Sequence, residues 1–238
     1  MSDLFIRSAC LDWDAVPHSS YLWTIDAIAG VDRIDFDSPV TCFVGENGSG
    51  KSTLLEAMAV CAGFNPEGGT KNYSFSTFDS HSQLCGSMRL VKGVKKPRWG
   101  YFLRAESFYN VATAEEEYSR MGGIPQNLHE KSHGESFLAT VQNNFRPGGV
   151  YFLDEPEAAL SPQRQLTLLR EIYTCARAGA QFFMVTHSPI LLGLPDAAIL
   201  SFDGGPLHPV AYEDTDSYQI TSLFLSDRKR MLHSLLEE

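Results

Sequence analysis

Long apolar runs are missing from this sequence. No stretch of its 238 residues approaches the ~20 apolar residues that span a bilayer, so membrane insertion is not expected. Met1 to Trp13 carries Asp3, Arg7 and Asp12 without an apolar core, which excludes a secretory signal of the usual kind. Cysteine is sparse and scattered, at Cys10, Cys42, Cys61, Cys85 and Cys175. None forms a C-x-x-C pair, and five widely spaced thiols make a poor disulfide or zinc framework. They read as small core residues in a reducing cytosol. Positive charge is also short: 19 Lys and Arg against 29 Asp and Glu give a net charge of -10. Such a chain has no general attraction to polyanionic nucleic acid, so DNA contact would need a local basic patch or a basic partner. Repeats and low-complexity tracts are absent. The expectation is a cytoplasmic protein.

What is present suits a globular chain, with 43% hydrophobic, 11% aromatic and 20% charged residues. Thr41 to Val44 is a short apolar run opening into a Gly-rich turn. Ser52 to Ala62 follows with Leu54, Leu55, Met58 and Ala59 at helical spacing, and Gly63 is a natural stop. Phe64 to Gly100 is rich in Gly, Ser, Asn and Lys. Within it, 65–82 reads as a surface excursion, and strands are expected in 84–104, one of them Gly100 to Arg104. The basic Val91 to Arg98 segment reads as a solvated hairpin. Short helices are expected over 115–121 and 136–145. Val150 to Leu153 and Gln181 to Thr186 have the unbroken apolar character of strands buried on both faces. Between them, Ser161 and Pro162 punctuate the start of a helix that Gly179 ends. Residues 199–211 form a hairpin around Asp203-Gly204-Gly205, and two helices occupy 217–237. Strands alternating with helices predict an α/β fold around a mainly parallel sheet.

Chemistry concentrates in Gly45-Glu46-Asn47-Gly48-Ser49-Gly50-Lys51-Ser52, which has the spacing G-x-x-x-x-G-K-S between a strand and a helix. Glycines let backbone N–H groups approach phosphates, and the helix N-terminus adds its positive dipole end. Lys51 is expected at the β- and γ-phosphates of ATP, Ser52 on Mg²⁺, and Thr53 beside the α-phosphate. The second element is Val150-Tyr151-Phe152-Leu153-Asp154-Glu155. Its apolar strand delivers Asp154 to the Mg²⁺ shell, and Glu155 is placed to orient or deprotonate the attacking water. The first motif is the Walker A element and the second the Walker B element of P-loop proteins.

From here the sequence resembles the ABC-type ATPases, which include transporter motor domains and the SMC class of DNA-repair and chromosome ATPases. Glu157-Ala158-Ala159-Leu160-Ser161, after Asp154-Glu155-Pro156, looks like the D-loop. Thr186-His187-Ser188 resembles the switch histidine that contacts the γ-phosphate. Lys131-Ser132-His133-Gly134-Glu135-Ser136 resembles the signature segment. Ser132, Gly134 and Glu135 match the family's Ser, second Gly and Gln positions, while Lys131 and His133 depart from it. No Q-loop Gln is evident; Arg104 or Glu106 stands nearest that place. Arg104-Ala105-Glu106-Ser107 and the other motifs together look like those of compact stand-alone bacterial AAA-type ATPases without coiled-coil arms. About eighty residues separate Lys51 from Ser132 and carry no heptads, which excludes such an arm.

The resemblance implies one ABC-type ATPase domain over 1–238, with an antiparallel β portion and a small helical lobe at about 105–146 carrying the signature segment. It implies an ATP-hydrolysing homodimer that closes around two nucleotides and drives or switches a partner, in DNA repair or genome defence. Two alternatives stand beside it. One is the motor subunit of a transporter, opposed by the altered signature and by the lack of a clear aromatic platform for adenine, with Tyr21 and Trp23 read as core. The other is a nucleotide-sensing module with negligible turnover.

Overall fold

The computed structural model describes residues 4–70, 83–104 and 133–236. Its centre is a six-stranded sheet of order β5-β6-β7-β3-β8-β9. The strands are β3 (Val40–Val44), β5 (Trp99–Arg104), β6 (Gly149–Asp154), β7 (Gln181–Val185), β8 (Ala198–Ser201) and β9 (His208–Pro209). All neighbours are parallel except β8 and β9. Against it stands a three-stranded antiparallel sheet of order β2-β1-β4, built from β1 (Ile6–Leu11), β2 (Arg33–Asp35) and β4 (Met88–Lys92). The fold is α/β with a mostly parallel sheet and a separate antiparallel one, as the sequence predicts.

Strands β3, β6 and β7 are buried throughout because both faces of the sheet are covered. Alternate side chains serve the two sides. Phe43, Val150, Phe152, Phe183 and Val185 face a core shared with the antiparallel sheet and helix α1 (Lys51–Cys61). Cys42, Tyr151, Leu153, Phe182 and Met184 face a second core, closed by α2 (His133–Asn144), α3 (Pro162–Arg177) and the one-turn α4 (Pro189–Leu192). The phenyl rings of Phe152 and Phe183 stack at 5.3 Å between neighbouring strands. One buried polar group fastens the two sheets. Gln181 Oε1 accepts from the N–H groups of Phe5 (3.0 Å) and Ile6 (2.9 Å), and its Nε2 donates to the Ile6 carbonyl at 2.8 Å. The chain finishes in α5 (Asp216–Ser226) and α6 (Arg228–Leu236).

Three expectations need correction. Val91 to Arg98 is no hairpin, since β4 pairs with β1 and β5 with β6, so the segment passes from one sheet to the other. A basic run with a turn looks the same in sequence whether its flanking strands pair or part. Ser161 occupies the N-cap of α3, but its side chain makes no capping hydrogen bond; Pro162 at the first helical position fixes the start instead. Tyr21 is 51% exposed rather than core, while Trp23 is partly buried and its ring lies 4.8 Å from Trp13. The expected helix at 115–121 lies outside the described residues. Cys42 and Cys175 are buried as expected, and burial pushes their thiols up to about 12 and about 11. Cys10, Cys61 and Cys85 are only half-buried.

Candidate functional site

The sheet order puts β3 between two strands from later in the chain, β7 and β8. A crevice therefore forms at the carboxyl ends, where open α/β sheets bind ligands. In register, Asp154 of β6 stands beside Val185 of β7 and Arg104 of β5. Val44 leads into the glycine loop on the same edge.

The loop runs from Gly45 to Gly50, and α1 begins at Lys51. Gly50 caps the helix in the left-handed region, at φ 97°, and a Cβ there would come within 2.5 Å of Ile25 Cγ2. Glycine meets both demands, and the first N–H groups of an α-helix have no intrahelical partner. Glu46, Asn47 and Gly48 are exposed, and Gly45, Ser49, Ser52 and Thr53 are half-buried. Lys51 is 4% exposed and turns back on the loop, donating through Nζ to the carbonyls of Gly45 and Glu46, both at 2.7 Å. Burial lowers its pKa, while Asp203, Glu155, Asp154 and Glu46 oppose the shift. Phosphate oxygens would supply the charge partner that this buried ammonium has only at a distance.

Ser52 and Asp154, 102 residues apart, meet directly: the hydroxyl donates to Asp154 Oδ1 at 2.8 Å. Glu155 follows in the left-handed region (φ 48°, ψ 52°), held by its N–H on the Val185 carbonyl at 3.0 Å. That turn aims the carboxylate away from the strand and leaves it 46% exposed, open to water. His187 Nε2 lies 4.0 Å from Glu155 Oε1. Its own backbone N–H donates to Glu157 Oε1 at 2.5 Å, so the D-loop-like turn fixes the histidine's position.

Five expected residues thus converge on one edge: Lys51, Ser52, Asp154, Glu155 and His187. Of the signature segment, only His133 to Ser136 lies among the described residues. Ser132 lies outside the described residues, as does Glu106. Gly134 opens α2 with no room for a side chain between Arg164 and the Ala159 carbonyl, and Glu135 pairs with Arg164 at 3.1 Å while remaining 55% exposed. The donor set fits a triphosphate with Mg²⁺. Ser52 and Asp154 offer adjacent oxygen ligands of the hard type Mg²⁺ prefers. Ser49 Oγ and His187 Nε2 have no hydrogen-bond partner among the described residues.

Two family descriptions match, each covering one arm of this arrangement. Residues 25–115 match an "AAA domain", and residues 136–193 match "AAA domain, putative AbiEii toxin, Type IV TA system". The first contains the glycine loop, and the second contains Asp154, Glu155 and His187. Over these two stretches the chain is similar to AAA-type domains. The chain is also 26% identical over 167 residues to the hemin import ATP-binding protein HmuV of Pseudomonas aeruginosa. The match takes in 60% of this chain and 64% of that relative, so the chain spans less than two thirds of it. Among solved structures, the SMC head domain from Thermotoga maritima is similar with a TM-score of 0.48 at 18% identity, covering 87% of this chain and all of that one. An inward-facing "putative metal-chelate type ABC transporter" is similar with a TM-score of 0.48 at 15% identity, covering 94% and 89%.

Several residues of this P-loop site escape sequence reading. Asp203 accepts the Glu46 N–H at 2.9 Å and packs against Gly45. In the sequence it opens Asp-Gly-Gly, which reads as a turn and nothing more. Arg104, expected near the Q-loop position, has no lone pair to offer a metal. Its Nη1 donates to Glu56 Oε2 at 2.7 Å and its Nε lies 3.7 Å from Asp154 Oδ2. Glu56 looks like an ordinary helix-surface glutamate until β5 is set beside β6. Beyond the glycine loop, a cleft of about 490 Å³ continues past His187 and Asp203 to His208 and the start of α5. Among the described residues no helix is long and apolar enough to cross a membrane.

Proposed function

We propose that this chain is a cytoplasmic ATP-hydrolysing switch that works as an ATP-dependent homodimer. The observation that carries the reading is the Ser52–Asp154 hydrogen bond at 2.8 Å, beside a half-exposed Glu155 and a histidine whose backbone N–H is held by Glu157. Gly45 to Thr53 hold the phosphates, with Lys51 leaving its loop carbonyls for the β- and γ-oxygens. Ser52 and Asp154 would hold Mg²⁺, which would offset phosphate charge. Glu155 orients the attacking water and accepts its proton, and His187 contacts the γ-phosphate. The signature segment, with Ser132, Gly134 and Glu135, caps the nucleotide of a second copy from the start of α2. It belongs to a lobe at about 105–146 within one ATPase domain.

Closure around ATP does work on a partner through the difference in affinity between closed and open states. A role in DNA repair or genome defence is consistent with the SMC-like class. With a net charge of -10, DNA would be reached through a basic partner. Glu155→Gln tests the chemistry: turnover should fall by roughly 10²–10⁴ while nucleotide binding stays intact. Normal hydrolysis by that variant would sink the assignment.

The similarity to a hemin import ATP-binding protein favours a second reading, the motor subunit of a transporter. Stimulation of ATPase activity by a reconstituted membrane permease would favour it. Full activity and ATP-dependent dimerisation of the isolated chain favour the first.

A further inference from the structure

Behind the candidate metal ligands lies a pair of charges that the nucleotide reading does not use. Glu56 is four residues after Ser52 on α1, on the same helix face. Arg104 ends β5 in register with Asp154 on β6. Its Nη1 donates to Glu56 Oε2 at 2.7 Å and to the Pro66 carbonyl at 3.2 Å, so two acceptors on other segments fix the guanidinium. Its Nε faces Asp154 Oδ2 at 3.7 Å, the carboxylate oxygen opposite the one bonded to Ser52. The side chains of Glu56, Arg104 and Asp154 are only 14%, 21% and 10% exposed, where water screens charge poorly.

We infer that Glu56 and Arg104 are a charge-balancing pair that sets how readily the site takes Mg²⁺, an inference that rests on the nucleotide reading above. A fixed cation behind Asp154 holds that carboxylate's second oxygen and leaves the first for Ser52 and the metal. The same cation, unbalanced, repels a divalent ion. Glu56 cancels that repulsion. Both are positioning residues, since neither touches the proposed reacting atoms. A purely structural clamp between α1 and β5 would use the same contacts, and the sign of the charge effects separates the two.

The test measures binding of a fluorescent non-hydrolysable ATP analogue, first in EDTA and then with Mg²⁺ titrated in. In Glu56→Gln the loss of one carboxylate charge beside the guanidinium should raise the half-saturating Mg²⁺ about tenfold while metal-free analogue binds several-fold tighter. Arg104→Met should move both quantities the other way. Both shifts should shrink as salt is raised. Arg104→Lys keeps the charge without the planar fork, so its Mg²⁺ response should stay within roughly threefold of wild type, as should that of the Glu56→Gln/Arg104→Met double variant. Single variants that weaken both quantities together, or leave the Mg²⁺ response unmoved, overturn the inference while leaving nucleotide binding in place. Loss of the Mg²⁺ response in Arg104→Lys also overturns it. Wild-type protein that binds no analogue, with or without Mg²⁺, removes the nucleotide reading and this inference with it.

Discussion

The glycine-loop edge and the start of α2 carry the two halves of the proposed site in different ways. At the loop edge the polar groups are knitted together inside the chain: Ser52 to Asp154, Arg104 to Glu56, Lys51 to its own loop. At the start of α2, Gly134 is packed on Arg164, and Glu135, 55% exposed, pairs with the same arginine. The contrast separates a loop edge whose Lys51, Ser52 and Asp154 pair within the chain from an α2 edge that the proposed second copy would cover.

The strongest way to break this contrast is at the loop edge. Lys51→Ala should weaken ATP binding by roughly 10–100-fold, the worth of a charge-assisted contact to phosphate, with the fold retained. Calorimetric titration and circular dichroism would check the two parts. The α2 edge sharpens it from the other side. Ser132→Arg should leave monomer affinity within about threefold of wild type and abolish ATP-dependent dimers, because a bulky cation would enter the interface while the loop edge stays whole. Loss of nucleotide binding by the monomer would instead put Ser132 on its own chain's nucleotide.

A third change probes the scaffold under both halves. Gln181→Leu removes three buried hydrogen bonds and leaves the Phe5 and Ile6 N–H groups unpaired, so it should cost about 2–5 kcal/mol, read from chemical denaturation. The smallest effect is one of pH. Burial lowers the Lys51 pKa in the free protein, and bound phosphate would raise it again. A group whose pKa rises on binding gives affinity that is full at low pH and lost as pH climbs through its free-state value. Affinity should therefore decline on the alkaline side before the ordinary lysine value of 10.5, with proton uptake on binding. Titrations from neutral to alkaline pH in buffers of different ionisation enthalpy would check it.

How much of this could be read from residues alone follows from how local each signal is. β3, β6 and β7 are continuous apolar runs, so their burial on both faces was legible, and so were the Lys51, Ser52, Asp154 and Glu155 positions that adjoin them. Strands β1 and β2 were not foreseen. β2 has three residues with only Ile34 buried, and β1 holds both β2 and the distant β4 as partners, which no local window shows. The roles of Asp203, Glu56 and Glu157 were hidden for a related reason. Each acts through a partner that sheet order brings near, Glu46, Arg104 and the His187 N–H, and nothing in a local window announces it.

The claim that the α2 edge awaits a second copy is tested most directly by sedimentation velocity of Glu155→Gln with ATP and Mg²⁺. The account predicts a monomer without nucleotide and a dimer, twice 26.4 kDa, once ATP is added. A species that stays monomeric at saturating ATP, with nucleotide demonstrably bound, would contradict it.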